Sequence, residues 1–198
     1  MRRRGGAVLS FALVAISCTV QVNREPPQSA PMVAQPANPA PPPPSAAVTP
    51  TPVAAGPAYR FVQGPGWAFA VPANWQQIPI GAPAIVSLRD TTTVGGFLTN
   101  VNLVAEPFAG DGPAYAVANV PLLQTAATIV AQRPAVVGLF ASTELESVWT
   151  QAIPPYRTVQ RFVATNGRGW VITCSGAHAT FESVRPTCTA ILDSFRLQ

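Results

Sequence analysis

The sequence contains no lysine and a single histidine, His178, which leaves few residues for several kinds of catalysis. Without lysine there is no Schiff-base chemistry and no lysine general base. His178 has Glu182 and Asp193 near it in sequence, but Ser175-Gly176 lacks the glycine pattern that surrounds a serine nucleophile on its strained turn. We therefore predict that His178 is a surface residue at the corner between a strand and a helix.

Charged residues are also scarce, at 10% of 198 residues, and the formal net charge of +4 overstates the basicity of the protein. Three of the 12 basic residues are Arg2, Arg3 and Arg4 in the N-terminal segment described next, so nine arginines remain against eight acidic residues, a balance of +1. These arginines are scattered along the sequence, which predicts no basic patch for nucleic acid. We expect no nucleic-acid partner.

Three cysteines are an odd number, which in an exported protein leaves one thiol to be explained. Cys18 ends a segment with a cationic start and a short apolar run over residues 7–16, the order found in a bacterial lipoprotein signal peptide. The run is about half of a membrane span. We predict cleavage after residue 17 and a lipid on Cys18, which anchors the protein to the cell envelope, at the outer membrane if the host is Gram-negative. An ordinary secretory signal is the alternative.

Cys174 and Cys188 then remain as a pair in a compartment where disulfides persist. A zinc site is the weaker interpretation, because two cysteines and His178 fall short of four structural ligands. A helix continuous from about Ala179 would put Cys188 about 14 Å from its start, too far from Cys174, whereas a helix that restarts at Pro186 brings it close. We predict a Cys174–Cys188 disulfide, no metal and no cofactor.

Composition divides the chain into three segments. Residues 1–17 are the predicted signal peptide, and residues 18–58 form a disordered linker rich in proline and alanine. Twelve of the 23 prolines lie between Pro26 and Pro57, and large apolar residues are almost absent there, so the linker cannot form a core. We expect an extended tether of about 3.1 Å per residue. Residues 59–198 have the length of one globular domain.

Within this domain, apolar residues alternate as they do in β-strands. Trp67, Phe69 and Val71 alternate with alanines, which predicts a hairpin strand with one buried face. Asn166-Gly167 is the dipeptide that type I′ turns prefer, and it predicts the clearest hairpin of the chain. The predicted strands are 59–62, 67–71, 85–89, 100–106, 136–144, 148–152, 157–165 and 168–174.

Two helical segments are predicted. Asp111 can cap the first, which should kink at Pro121 and end near Arg133. The second covers residues 181–195. The spacing in the first helix marks one face, formed by Tyr115, Asn119, Leu122, Ala126 and Ile129. The second helix has one apolar stripe, formed by Phe181, Val184, Cys188, Ile191, Leu192 and Phe195.

Three segments of the domain resemble the PsbP-like family. Segment 67–75, WAFAVPANW, resembles the opening of that family, and segments 170–173, WVIT, and 192–196, LDSFR, resemble its close. The family includes tethered bacterial lipoproteins of the LpqN type and the periplasmic protein DcrB. The resemblance implies an α+β fold, an antiparallel β-sheet sandwiched between helices, and it supplies no shared catalytic residues.

A few side chains are candidates for contacts with a partner. We expect Trp67 and Trp170 to lie in the core, and Trp75 and Trp149 to be freer for an exposed contact. The two glutamates at 144 and 146 would share one face of a strand, and we interpret them as a solvated edge that discourages strand pairing.

These observations favour a non-catalytic envelope lipoprotein whose PsbP-like domain binds or stabilises another envelope component. The alternative is a small-molecule or lipid carrier with a pocket between the sheet and its helices. A hydrolase centred on His178 is the third hypothesis. An apolar cavity would favour the carrier, whereas a packed core with an exposed aromatic patch would favour protein binding.

Overall fold

The computed structural model describes residues 58–198, so the predicted signal peptide, Cys18 and all of the predicted linker except Ala58 lie outside the described residues. No helix between residues 58 and 198 has the length and apolar character needed to cross a bilayer. The elements in chain order are β1 Tyr59–Gly64, β2 Trp67–Pro72, β3 Gln76–Gln77, β4 Ala84–Val94, β5 Phe97–Pro107, α1 Gly112–Gln124, β6 Thr128–Val137, β7 Phe140–Trp149, β8 Tyr156–Thr165, β9 Arg168–Ala177, a 3₁₀ turn His178–Thr180, α2 Phe181–Ser194 and β10 Arg196–Leu197.

Seven strands form one antiparallel sheet in the order β3-β4-β5-β9-β8-β7-β6, and β1-β2-β10 form a second, smaller sheet. Successive side chains of a strand point to opposite faces, so the large sheet has two apolar faces to cover. Helix α2 and strand β2 cover one face, and α1 covers part of the other. The predicted α+β class, with an antiparallel sheet between helices, agrees with this arrangement.

The larger core lies between α2, β2 and the large sheet. The predicted stripe of α2 faces it, with Phe181, Cys188, Ile191 and Leu192 buried and Val184 partly buried. Burial of each large apolar side chain stabilises the fold by about 1.5–3 kcal/mol. From the sheet and from β2 come Trp67, Phe69, Val71, Val101, Leu103, Val159, Val163, Trp170, Ile172 and Cys174.

The smaller core lies under α1, on the opposite face. Tyr115 packs against Gly169 of β9, where a Cβ would lie only 2.6 Å from the Tyr115 ring. The Tyr115 hydroxyl donates to Glu106 at 2.6 Å, which satisfies a buried polar group. Phe162 and Leu145 complete the contact with the sheet.

Strand β2 is buried on both faces, which corrects the prediction of one buried face. Ala68 and Ala70 point away from the large core, but their cross-strand partners in β10 and β1 include Arg196 and Phe61. The Arg196 guanidinium lies 4.7 Å from the centre of the Phe61 ring, and this pair flanks the alanines. Ala68 and Ala70 are small enough for the Arg196 and Phe61 side chains to lie beside them. The alternating pattern of β2 alone does not indicate this second buried face.

The first helix was predicted too long. Helix α1 begins after its Asp111 cap as predicted, but it contains Pro121 and ends at Gln124, and Ile129 lies in strand β6. The predicted strand 136–144 is wrong as well, because Gly138, with φ of +59°, turns the chain between β6 and β7. β-branched residues after the helix favour a strand, and they override the helical spacing.

The extent of the second helix and the two predicted hairpins, β1–β2 and β8–β9, agree with the sequence analysis. The β8–β9 turn has φ of +52° at Asn166 and +72° at Gly167, as a type I′ turn requires. Cys174 and Cys188 form a disulfide with 5.5 Å between their Cα atoms. The expected restart of the helix at Pro186 is wrong, because α2 is continuous through it.

The disulfide forms because α2 folds back over β9. The three strand residues from Ala177 to Cys174 span about 10 Å, and the seven helix residues from Phe181 to Cys188 rise by the same length. Gly176 lies under Val184 on the way, since a Cβ there would be 2.7 Å from the valine methyl. The helix thus carries Cys188 to the strand position of Cys174 without an interruption.

Candidate functional site

Glu144 and Glu146 of β7 are buried, although the sequence analysis placed them at a solvated edge. Strand β7 is an interior strand between β6 and β8, and β6 forms the edge. The two glutamates do share one face, the face on which α2 lies. Burial of two carboxylates requires opposite charges and hydrogen-bond donors, and arginines supply both.

Glu144 is held between arginines of the two neighbouring strands. Arg133 of β6 and Arg161 of β8 stand directly opposite it in the register of the sheet. The Arg133 Nε donates to one carboxylate oxygen at 2.8 Å, and the Arg161 Nε donates to the other at 2.9 Å. Both oxygens of Glu144 therefore have a charged donor.

Glu146 is held by an arginine of β8 and an arginine of α2. The Arg157 Nε and the Arg185 Nη2 lie 2.5 and 2.6 Å from its Oε1. Arg185 also donates to Glu182, and these two carboxylates raise the Arg185 pKa above its usual value, while the Arg185 hydrogen bond lowers the Glu182 pKa. Arg157 and Arg185 lie 5.6 and 5.0 Å from the centre of the Phe181 ring. These contacts tie the cluster to α2.

An open groove of about 450 Å³ lies beside Glu144, between α2 and β6. Arg133 stands on the β6 side with its side chain half exposed, and Asp193 stands on the α2 side. The Arg161 Nη2 donates to the Asp193 Oδ1 at 2.5 Å and links the floor to the helix. We call this feature the charged groove; its lining is Arg133, Pro134, Ala135, Val136, Glu144, Arg161, Thr189 and Asp193.

This cluster was not predicted, because its four arginines are scattered along the sequence. Part of the signal was present, since Arg157 and Arg161 are four residues apart in a predicted strand and so share a face. The misplacement of β6 hid the rest, because Arg133 was assigned to the end of a helix. The contribution of α2 depends on how the helix lies over the sheet, which local patterns do not give.

The tryptophans divide differently from the prediction. Trp67 and Trp170 are buried as expected, but Trp75 is also in the core at 3% exposure and is not available to a partner. The Arg60 side chain donates to the Trp75 carbonyl at 2.8 Å and closes that corner. The proline-initiated turn after β2 therefore brings Trp75 back into the core.

Trp149 is half-buried and belongs to a stack of aromatic rings. Its ring lies 5.4 Å from the Tyr156 ring with an interplanar angle of 13°, and Phe97 stacks on Tyr156 at 5.6 Å. Burial in this stack raises the pKa of Tyr156 to about 12. Trp149 stays a candidate contact residue, although much of its surface is used within the stack.

His178 is exposed in the 3₁₀ turn between β9 and α2, as predicted. Its neighbours in sequence do not form a triad with it: Asp193 pairs with Arg161, and Glu182 pairs with Arg185. Ser175 pairs across the sheet with Asn100 and points to the face opposite α2. Within residues 58–198, no three His, Cys, Asp or Glu side chains are placed to hold a metal ion.

A second surface feature is apolar. Between Glu106 and Glu144 the only charged residues are Asp111, the cap of α1, and Arg133, which turns toward the charged groove. The elements of this stretch, α1 and the β6–β7 hairpin, contact each other and supply five exposed large apolar side chains. We call them the α1–β6 surface: Val117, Leu122, Val130, Val136 and Leu139.

The described residues define an α+β protein with a PsbP-like fold. The cyanobacterial PsbP protein CyanoP from Synechocystis sp. PCC 6803 aligns over 77% of this chain and 99% of its own, with a TM-score of 0.53 and 12% identity. LpqN of Mycobacterium tuberculosis aligns over 71% and 91%, with a TM-score of 0.53 and 13% identity. The Ran-binding protein Mog1p of Saccharomyces cerevisiae aligns over 72% and 96%, with a TM-score of 0.50 and 7% identity. No protein-family model and no curated protein matches the sequence. At these identities the likeness concerns the fold alone.

Proposed function

We propose that this chain is a non-catalytic envelope lipoprotein of the LpqN or DcrB type, anchored through Cys18, whose domain binds another envelope protein. The solved structure of LpqN is described as that of a protein involved in cell envelope biogenesis, which supports an envelope setting for a chain of this fold. The order of residues 1–18 supports export and lipid attachment.

The observation that carries the binding role is the α1–β6 surface. Helix α1 has no charged residue in its 13 positions, and Val117 on it is 64% exposed. A surface helix of a monomeric protein normally presents charged or polar residues to water. An apolar side chain so exposed on an uncharged helix, together with Leu139 at 98% exposure in the neighbouring β6–β7 turn, supports a protein contact at these elements.

The carrier hypothesis has weaker support. A lipid or apolar ligand needs an apolar pocket, whereas the groove beside α2 is lined by two arginines, a glutamate and an aspartate. Both faces of the large sheet carry packed apolar clusters in the region between the helices. The structure of the described residues therefore favours a surface contact over an enclosed ligand.

The test places a photo-crosslinking amino acid at Val117 in intact cells and compares it with the same amino acid at Ile153. Ile153 is 90% exposed in the loop between β7 and β8, outside the α1–β6 surface, and is the matched control. We expect one dominant protein adduct from position 117 and none of that mass from position 153. Val117→Glu should abolish the function lost on deletion of the gene, while Ile153→Glu should retain it.

Both glutamate variants should melt at the wild-type temperature, because neither side chain is buried. Equal adducts from both positions, or full complementation by a folded Val117→Glu variant, would contradict the proposed contact.

A further inference from the structure

The charged groove contains an ion pair whose two members differ greatly in exposure. The Arg161 side chain is 11% exposed and is fixed by its hydrogen bond to Glu144, whereas the Asp193 side chain is 57% exposed at the surface of α2. An exposed carboxylate contributes little when it pairs at a surface, because water screens it and its side chain keeps freedom to rotate. Arg161 is thus a preorganised donor held by a weak internal acceptor.

The charge balance of the cluster also points to Asp193 as the acceptor that a ligand could replace. Glu144 and Glu146 face four arginines, 133, 157, 161 and 185, which leaves two positive charges for other groups to balance. In the described structure the balance comes from the exposed carboxylates Asp193 and Glu182. Of these two, only Asp193 lines the groove, and half-exposed Arg133 faces it across the groove.

We infer that the charged groove binds a carboxylate side chain from an acidic segment of a protein partner, which replaces Asp193 on Arg161 and is held on the other side by Arg133. This inference rests on the proposed role in protein binding and names the chemistry of a second contact. Arg161 then presents an Nη group to the incoming carboxylate while its Nε stays on Glu144.

A carboxylate fits this groove better than a phosphate does. An incoming carboxylate adds one negative charge to the groove beside Arg161 and Arg133, whereas a phosphate would bring up to two negative charges close to Glu144. A groove of about 450 Å³ accommodates several side chains, and its remaining wall, Pro134 to Val136, is small and apolar. An extended acidic peptide meets both conditions.

The experiment titrates the full chain with a capped tetraglutamate peptide and follows the Nε–H signals of Arg133 and Arg161 by NMR. A capped tetraglutamine peptide and inorganic phosphate are the comparison probes. Asp193→Ala removes the internal competitor and should tighten binding of tetraglutamate by about three- to fivefold, the size expected for one exposed ion pair. Arg133→Gln should weaken binding at least as much.

Glu182→Ala is the matched control, because it removes another exposed carboxylate of α2, one that does not line the groove. It should leave tetraglutamate affinity unchanged. The inference is overturned if Asp193→Ala binds no tighter than the wild type, if Glu182→Ala tightens binding equally, or if phosphate alone shifts the arginine signals. The crosslinks from Val117 test the proposed function separately, because they report the α1–β6 surface and not the groove.

Discussion

Glu144 and Glu146 are individual carboxylates that the fold can bury only with their partners in place. Removal of an ionised carboxylate from water costs several kcal/mol, and the arginines of β6, β8 and α2 repay this cost through short charged contacts. A change at one glutamate removes the buried partner that two arginines share, so such a change should cost more than the loss of a charge at the surface.

Glu146→Gln should lower the free energy of unfolding by about 2 kcal/mol, less than a fully buried pair would lose because Arg157 and Arg185 keep some contact with water. Glu182→Gln, which affects an exposed partner of the same Arg185, should change stability little. Urea denaturation of both variants checks this. Equal losses of unfolding free energy for the two variants would show that burial does not decide how much each glutamate stabilises the fold.

Tyr156 provides a prediction at alkaline pH. Burial raises the pKa of Tyr156 to about 12, above its usual value of 10.0, so the folded state keeps the proton that the unfolded state releases. The stability from this group is complete below pH 10 and is lost as the pH rises toward 12. Tyr156→Phe should therefore lose less stability than the wild type between pH 9 and pH 11 in thermal melts. Parallel declines would contradict the assignment.

At the scale of elements, the disulfide fixes how α2 lies on the sheet. Cys174 and Cys188 close a loop of 15 residues, since their sequence separation is 14. This loop contains the 3₁₀ turn and the first eight residues of α2, including Arg185 of the charged cluster. A constraint on the unfolded chain of this length stabilises the folded state by about 3 kcal/mol.

The double variant Cys174→Ser, Cys188→Ser should thus unfold at lower urea concentration, with a loss of about 3 kcal/mol. Treatment with reductant should lower the stability of the wild type by a similar amount and leave the double variant unchanged. Two free thiols in wild-type protein isolated without reductant would refute the disulfide.

The elements also show what the sequence could predict. Turn chemistry and period identified the β8–β9 hairpin and the stripe of α2, because both depend on neighbouring residues. The end of α1 was mistaken because helical spacing at Ile129 coincided with a β-branched strand. The charged groove could not be predicted, since Arg133, Arg161 and Asp193 meet only through the order of the strands and the crossing of α2.

At the scale of the whole molecule, the two surface features differ in chemistry, although β6 contributes to both and Val136 belongs to each. The α1–β6 surface is apolar and includes side chains of α1, while the charged groove lies beside α2. A protein partner that used both would have to reach around the β6 edge, where Pro134 removes a backbone donor and discourages pairing by a strand. We therefore expect a partner to use the side chains of these features and not to extend the sheet at this edge.

The predicted lipid on Cys18 should determine where the protein is located and should not affect the folding of its domain. The buried residues of the two apolar clusters lie between Trp67 and Phe195, so we expect the domain to fold without the lipid. Cys18→Ser should leave the thermal melt and the Cys174–Cys188 disulfide unchanged, but it should block acylation and move the protein out of the membrane fraction or leave its signal uncut. The measurements are intact mass, fractionation and circular dichroism, with the wild type as control. An unmodified Cys18 in wild-type protein extracted from membranes would refute the lipoprotein prediction and leave only the secretory alternative. A further outcome would link the anchor to the proposed contact. If the wild type carries the lipid and a folded Cys18→Ser variant has no function, the proposed contact at the α1–β6 surface requires the domain to be held at the membrane.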